Sequence, residues 1–261
     1  MYFSLMYIRQ EWIKNTEFHP QSSKEVLQEV IDRTQSMLDQ KKLPVIIFDL
    51  DSTLFHVSPR SYEILKEWAQ SSAVSILPSL TVEDMVYSLE DVWLKKGLSI
   101  ESGEAFKHLK DAKAYWRQRF FSNDYIHHDL PHDGAVEFVN KLYTMGAKIV
   151  YLTGRDVPLM AFGTVDHLRR CGFPVEVERT RLILKPKRHI DDLVFKAGVC
   201  ESAKEWGEVV ASFENEPKNL VAMQEALGPK VMHIFFESVS SDHAAPAAKD
   251  VYRITDFAGI R

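Results

Sequence analysis

The chain has 261 residues, of which 45% are hydrophobic and 26% charged; that is the balance of a globular protein able to bury a full core, not of a disordered or fibrous one. A net charge of −5 without long runs of one sign offers no basic stripe to neutralise a nucleic-acid backbone, so no nucleic-acid partner is expected. The two cysteines, Cys171 and Cys200, form no Cys-x-x-Cys pair, which argues against a zinc ribbon or disulfide scaffold and fits a reducing compartment, here read as the cytoplasm.

In chain order, the apolar start Met1 to Ile8 meets Arg9, Glu11 and Lys14 too soon for a membrane span, which needs about 20 apolar residues. It also lacks the basic start and cleavage site of a signal peptide. Residues 22–40 read as an amphipathic helix: Ser22 and Glu25 make a capping-box pattern, and Leu27, Val30, Ile31, Thr34 and Leu38 recur at helical spacing. Leu43 to Phe48 is a short apolar run rich in β-branched residues, as in a strand buried on both faces of a parallel sheet. Ser58 to about Asp129 reads as helices only. Tyr62, Leu65, Trp68 and Ala69 form one stripe, Thr81 with Asp84 opens a second helix carrying Met85, Leu89 and Trp93, and Ser102 to Phe121 forms a third with Phe106, Leu109, Ala112 and Trp116.

Strands and helices then alternate. Pro131 to Tyr143 is expected to be a helix stopped by Gly146, followed by a strand over Ile149 to Thr153 and a helix from about Pro158 to Gly172. Arg181 to Leu184 reads as a strand, Asp191 to Lys204 as a helix and Val209 to Phe213 as a strand. A helix over Pro217 to Leu227 and a strand over Val231 to Phe236 complete the pattern, and Ser238 to Ala248 reads as a surface loop before a tail. This alternation predicts the α/β class: a Rossmann-like parallel sheet with helices on both faces, in which ligands bind beyond the carboxyl ends of the strands. Four such ends carry polar groups: Asp49 and Asp51, Thr153, a lysine after the Leu184 strand, and Glu214. The set suits phosphoryl transfer. A carboxylate can attack phosphorus, a second carboxyl can move the proton of the leaving oxygen, hard oxygens suit magnesium, and a hydroxyl with a lysine can bind phosphoryl oxygens.

Asp49-Leu50-Asp51-Ser52-Thr53 and Leu152-Thr153-Gly154-Arg155, each after an apolar strand, together with Lys196 on a helix and the acidic Phe213 to Asn219 segment, resemble the haloacid dehalogenase superfamily in its phosphatase branch. The resemblance covers roughly residues 43–56 and 131–236. It implies Asp49 as nucleophile and magnesium ligand, and Asp51 as general acid and base whose backbone carbonyl also binds magnesium. It further implies Thr153 and Lys196 as phosphoryl binders, Glu214 as the remaining metal ligand, and Ser52, Thr53, Gly154 and Arg155 as substrate contacts. Lys185 and Lys187 compete with Lys196; Lys196 is favoured because it is anchored at a helix start. Glu214 stands where the family has an aspartate, and Asn219 stands at a later acidic position. Arg155 is open between touching substrate and making a structural ion pair.

In the family, an insertion between Phe55 and Leu130 is a helical cap. The expected organisation is a helical extension over 1–42, a core over 43–56 and 131–261, and a cap over 57–130. The short stretch between Thr153 and Lys196 leaves no room for a second, larger cap. Trp68, Trp93, Trp116 and Phe120 are expected mainly in the cap core, with one or two lining a pocket. His127, His128 and His132 lack zinc spacing. The activity implied is magnesium-dependent hydrolysis of a small phosphorylated metabolite through an aspartyl phosphate. A phosphotransferase or mutase is the alternative, as is a metabolite-binding protein without turnover. No oligomeric state follows from the sequence.

Overall fold

The computed structural model describes residues 5–72 and 80–259; Met1 to Ser4, on which part of the N-terminal reading rests, lie outside them. Strand β1 (Met6–Tyr7) and helices α1 (Arg9–Asn15) and α2 (Ser23–Asp39) lead into strand β2 (Pro44–Phe48) and the short β3 (Phe55–His56). Helices α3 (Ser58–Ser71), α4 (Leu89–Lys95) and α5 (Gly103–Phe120) follow, then β4 (Leu130–Pro131), which pairs antiparallel with β3. After α6 (Ala135–Met145) the chain alternates through β5 (Lys148–Asp156), α7 (Val157–Arg170), β6 (Thr180–Lys185), α8 (Asp192–Ala203), β7 (Glu208–Glu214), α9 (Pro217–Leu227) and β8 (Met232–Phe236). Strands β9 (Ala245–Pro246) and β10 (Tyr252–Ile254) complete the described elements.

Six strands form one parallel sheet in the order β10-β8-β7-β2-β5-β6. Strand alternation sorts their side chains into two cores. Ile46, Phe48, Ile149 and Tyr151 join α2 and α6 on one face, while Val45, Ile47, Val150 and Leu152 join α8 and α9 on the other. That double burial is why β2 is apolar at every position. The inserted helices bury a cluster of their own in which Trp68 and Trp93 are central. Trp12 of α1 packs on Phe235 and donates its indole N–H to the Pro246 carbonyl at 2.8 Å, fastening the N-terminal segment to the C-terminal one.

Several local expectations shift. The Ser22–Glu25 capping box forms as read, and Gly146 ends α6 with φ of 116°. Thr81 and Asp84, however, cap only a 3-10 turn over Val82–Asp84; α4 begins at Leu89 with Ser88 as its cap. The capping chemistry was right, but the turn stops after one round because Met85 is extended. Pro131 lies in β4 and not in a helix; α6 starts four residues later, after Gly134. Ser238 to Ala248 is more than a surface loop. Ser240, Ser241 and Ala245 are buried, β9 pairs with β1, and the tail adds β10 to the sheet. Among the described residues, no helix is long and apolar enough to cross a membrane.

Gly134 is a required glycine, since its φ is 80° and a Cβ there would stand 2.3 Å from the Phe257 carbonyl oxygen. Gly134→Ala should cost about 2 kcal/mol or more, lowering the melting temperature by roughly 4 °C or more; an unchanged thermal midpoint would contradict this.

Candidate active site

The parallel order brings the carboxyl ends of β2, β5 and β7 to one edge, where Asp49 follows β2, Thr153 to Asp156 end β5, and Glu214 ends β7. Lys196 reaches in from the first turns of α8. Its Nζ lies 2.6 Å from Asp49 Oδ1 and 2.6 Å from Glu214 Oε2, and all three groups are buried. The other Glu214 oxygen, Oε1, accepts the backbone N–H groups of Asn215 at 3.1 Å and Glu216 at 3.0 Å. Thr53 donates its hydroxyl to Asp49 Oδ2 at 3.0 Å. Every oxygen of the two carboxylates is thereby oriented.

Burial pushes the Asp49 carboxyl above the usual carboxylate range; Lys196 opposes this and Glu214 adds to it. Burial alone would pull Lys196 down, but Asp49 and Glu214 hold its ammonium strongly protonated. When both carboxyls are ionised, one ammonium facing them leaves one negative charge in surplus in a buried place.

Asp51, two residues on, turns the other way. Arg155 Nε lies 3.2 Å from its Oδ1, and Arg60 Nη2 lies 2.9 Å from the same oxygen. Burial would raise the Asp51 carboxyl, yet Arg155 and then Arg60 outweigh it and hold the group well below its ordinary range. Both guanidiniums also grip Asp129, Arg60 through Nε at 2.8 Å and Arg155 through Nη2 at 2.8 Å. This second cluster is neutral, two arginines against two aspartates, and its members come from both the inserted helices and the core. A register shift between Thr153 and Asp156 breaks the β5 ladder at the stretch that carries Arg155. Ser52, between the two aspartates, has φ of 61°, a left-handed conformation uncommon for serine.

A cavity of about 1070 Å³ opens over these groups. Asp49, Asp51, Ser52, Gly154, Arg155, Lys196 and Glu214 line it, so most of the sequence-selected residues converge. Thr53 and Thr153 lie beneath. Thr53 braces Asp49, and the Thr153 hydroxyl accepts the Arg155 backbone N–H at 3.2 Å. Lys185 is engaged elsewhere, with its Nζ 3.0 Å from the Ile190 carbonyl and paired with Asp192. Of the four aromatics singled out in the sequence, Trp116 and Phe120 line the cavity, while Trp68 and Trp93 stay in their core. Arg155 makes the structural ion pair and also lines the cavity. Asn219 lines the cavity too.

Neither Arg60 nor Asp129 was marked by any sequence signal. Their roles rest on a pairing across 69 positions, which no local pattern records. Among the described residues, no three His, Cys, Asp or Glu side chains stand close enough to hold a metal, and the His127 and His128 rings lie 4.0 Å apart, tilted by 39°. A magnesium ion needs fewer protein ligands, because it keeps several waters. Two converging hard carboxylates, Asp49 and Glu214, fit such an ion.

Lys196→Met should leave Asp49 and Glu214 buried without their cation. The expected loss is about 3 kcal/mol or more, roughly 6 °C or more in melting temperature; a thermal midpoint within 2 °C of the parent would count against the bridge.

A family model for haloacid dehalogenase-like hydrolase matches residues 43–194. No curated protein matches the chain. Among solved structures, the chain resembles a Clostridium difficile protein designated "Putative Phosphatase", at 12% identity and TM-score 0.55, with 82% of this chain and 94% of that one covered. It also resembles a subfamily IA, variant 1 hydrolase of the same superfamily from Geobacter sulfurreducens, at 13% identity and TM-score 0.52, covering 82% and 93% of the two chains. At such identities these likenesses speak for the fold alone. With the family model spanning more than half the chain, over a parallel sheet whose strand ends gather Asp49, Lys196 and Glu214, this protein belongs to the haloacid dehalogenase-like hydrolases.

Proposed function

We propose that the protein is a magnesium-dependent phosphatase acting in the cytoplasm on a small-molecule phosphomonoester through an aspartyl phosphate at Asp49. The observation that carries this reading is the oriented Asp49 carboxylate, held at a cavity floor by Lys196 and Thr53. Asp49 would attack phosphorus as the bond to the leaving oxygen breaks, and water would then cleave the acyl phosphate and restore the carboxylate. Lys196, 2.6 Å from Asp49 Oδ1, would balance the charge that gathers when an anionic phosphoryl group approaches an anionic nucleophile. Magnesium, held by Asp49, Glu214 and the Asp51 carbonyl, would supply further neutralisation of the phosphoryl oxygens.

Asp51 is the candidate to protonate the leaving oxygen and then to accept the proton of the attacking water. In its present pairing with Arg155 and Arg60 it is ionised but a weak base, so the second of those tasks needs the pairing loosened. The first requires the arginines to release it, and phosphoryl oxygens arriving beside Arg155 compete for the same N–H groups. Residues 57–130 serve on this reading as a cap that supplies the upper cavity wall and limits water. Glu214 departs from the family's aspartate, which is the feature that favours a binding protein without turnover. Its longer arm nonetheless reaches the same lysine as Asp49, so the departure leaves the acidic floor intact.

The full chain should release phosphate from p-nitrophenyl phosphate or from members of a metabolite panel only with magnesium, reversibly lost on chelation. Asp49→Asn should lower the rate by roughly a thousandfold or more. Turnover retained by that variant, or indifference to magnesium, would sink the mechanism.

A further inference from the structure

The cavity is larger than a phosphoryl group needs, and its wall carries two arginines that the chemistry at Asp49 does not use. Arg117, on α5, is exposed, lines the cavity and has no hydrogen-bond or ion-pair partner among the described residues. Arg188, in the loop after β6, lines the same cavity from the core side. Its guanidinium lies 4.1 Å from the centre of the Phe121 ring, and no carboxylate stands within ion-pair distance of it among the described residues. The two cations are close enough that Arg117 joins burial in weakening Arg188's hold on its proton, with Asp156 opposing them.

Neighbouring charges have their partners. Lys113 pairs with Glu90, Lys185 pairs with Asp192, and Asp156 accepts the Leu159 N–H as the cap of α7. A chain of ring contacts leads along the wall from Asp51 to Arg188. Arg60 contacts Asp51 and stacks at 4.2 Å on Phe120, Phe120 meets Phe121 at 5.1 Å, and Phe121 carries Arg188.

Two guanidiniums without an ion-pair partner among the described residues, brought together from two layers of the fold, repel each other unless an anion lies between them. Planar N–H forks of this kind suit phosphate and carboxylate oxygens. We infer that the substrate carries a second oxyanion group, phosphate or carboxylate, at the end remote from the scissile phosphate, and that Arg117 and Arg188 clamp it between the inserted helices and the core. The inference rests on the phosphatase reading for the floor of the cavity and adds the recognition element of its wall.

The test uses the full chain with magnesium and matched esters of one spacer: butyl phosphate, 4-phosphooxybutanoate and butane-1,4-diol bisphosphate, with the hexane series beside them. In at least one series the doubly anionic ester should exceed the monoanionic-end control in kcat/KM by about tenfold or more, mainly through KM, which is the scale of one good charged contact. The carboxylate and bisphosphate arms show which oxyanion is preferred. In Arg117→Ala with Arg188→Ala that ratio should fall toward one, and lysine at both positions should restore part of it. Equal kcat/KM across each series, or a ratio unchanged in the double variant, overturns the clamp. Should no ester be hydrolysed, the phosphatase reading falls by itself. Calorimetric titration of the Asp49→Asn protein with the same esters then decides the clamp, by a preference of about tenfold for the second oxyanion that the arginine variants abolish.

Discussion

The Lys196 ammonium, 2.6 Å from Asp49 and 2.6 Å from Glu214, is the interaction on which the rest of the site depends. A buried ammonium is tolerable only when its N–H groups and charge are met, so the ends of β2 and β7 and the start of α8 must hold one mutual distance. Neighbouring parallel strands supply two of these points directly. The third requires α8 to lie across the sheet, which Cys200 and Ala203 secure by packing against Val45, Ile47 and Val150. The hydrophobic face of α8 thereby positions its one buried cation.

A second electrostatic unit sits beside the first and does different work. Arg60 and Arg155 share Asp51 and Asp129, and the four charges cancel. Removing any member would strand a buried charge, and this fastens the inserted helices to the core beside the nucleophile. With both of its carboxyls ionised, the Asp49 side remains one negative charge in surplus. This division explains why two aspartates separated by one residue have opposed tendencies, Asp49 raised by burial and Asp51 depressed by its arginines. Such divergence is how neighbouring carboxyls take separate chemical tasks.

The upper wall follows from how the inserted helices divide their aromatic residues. Trp68 and Trp93 fill the interior of that layer, and Trp116 stacks on Phe120 at 4.4 Å where the layer meets the cavity. Aromatic side chains offer broad, stiff surfaces with little rotamer entropy to lose, so this wall can present its arginines at defined places. Arg60 and Arg188 each lie over a ring, Phe120 and Phe121 respectively.

The sequence by itself determined the alternating core, because strands buried on both faces must be apolar throughout and helices must repeat at 3.6 residues; β2, β5 and β7 were legible for that reason. It also marked Asp49, Asp51, Lys196 and Glu214, since charged residues that directly follow such strands, or begin such helices, have few purely structural reasons to be there. Short elements escaped. Strands β1, β3, β4, β9 and β10 have two or three residues each, too few to show a period, and they exist only because a distant segment pairs with them. Tertiary structure alone decided which lysine meets Asp49, that Asp51 turns to Arg60 and Arg155, and that Arg117 and Arg188 share a cavity. Each of those outcomes depends on a distance between chain segments far apart in sequence, and local residue patterns carry no record of such distances.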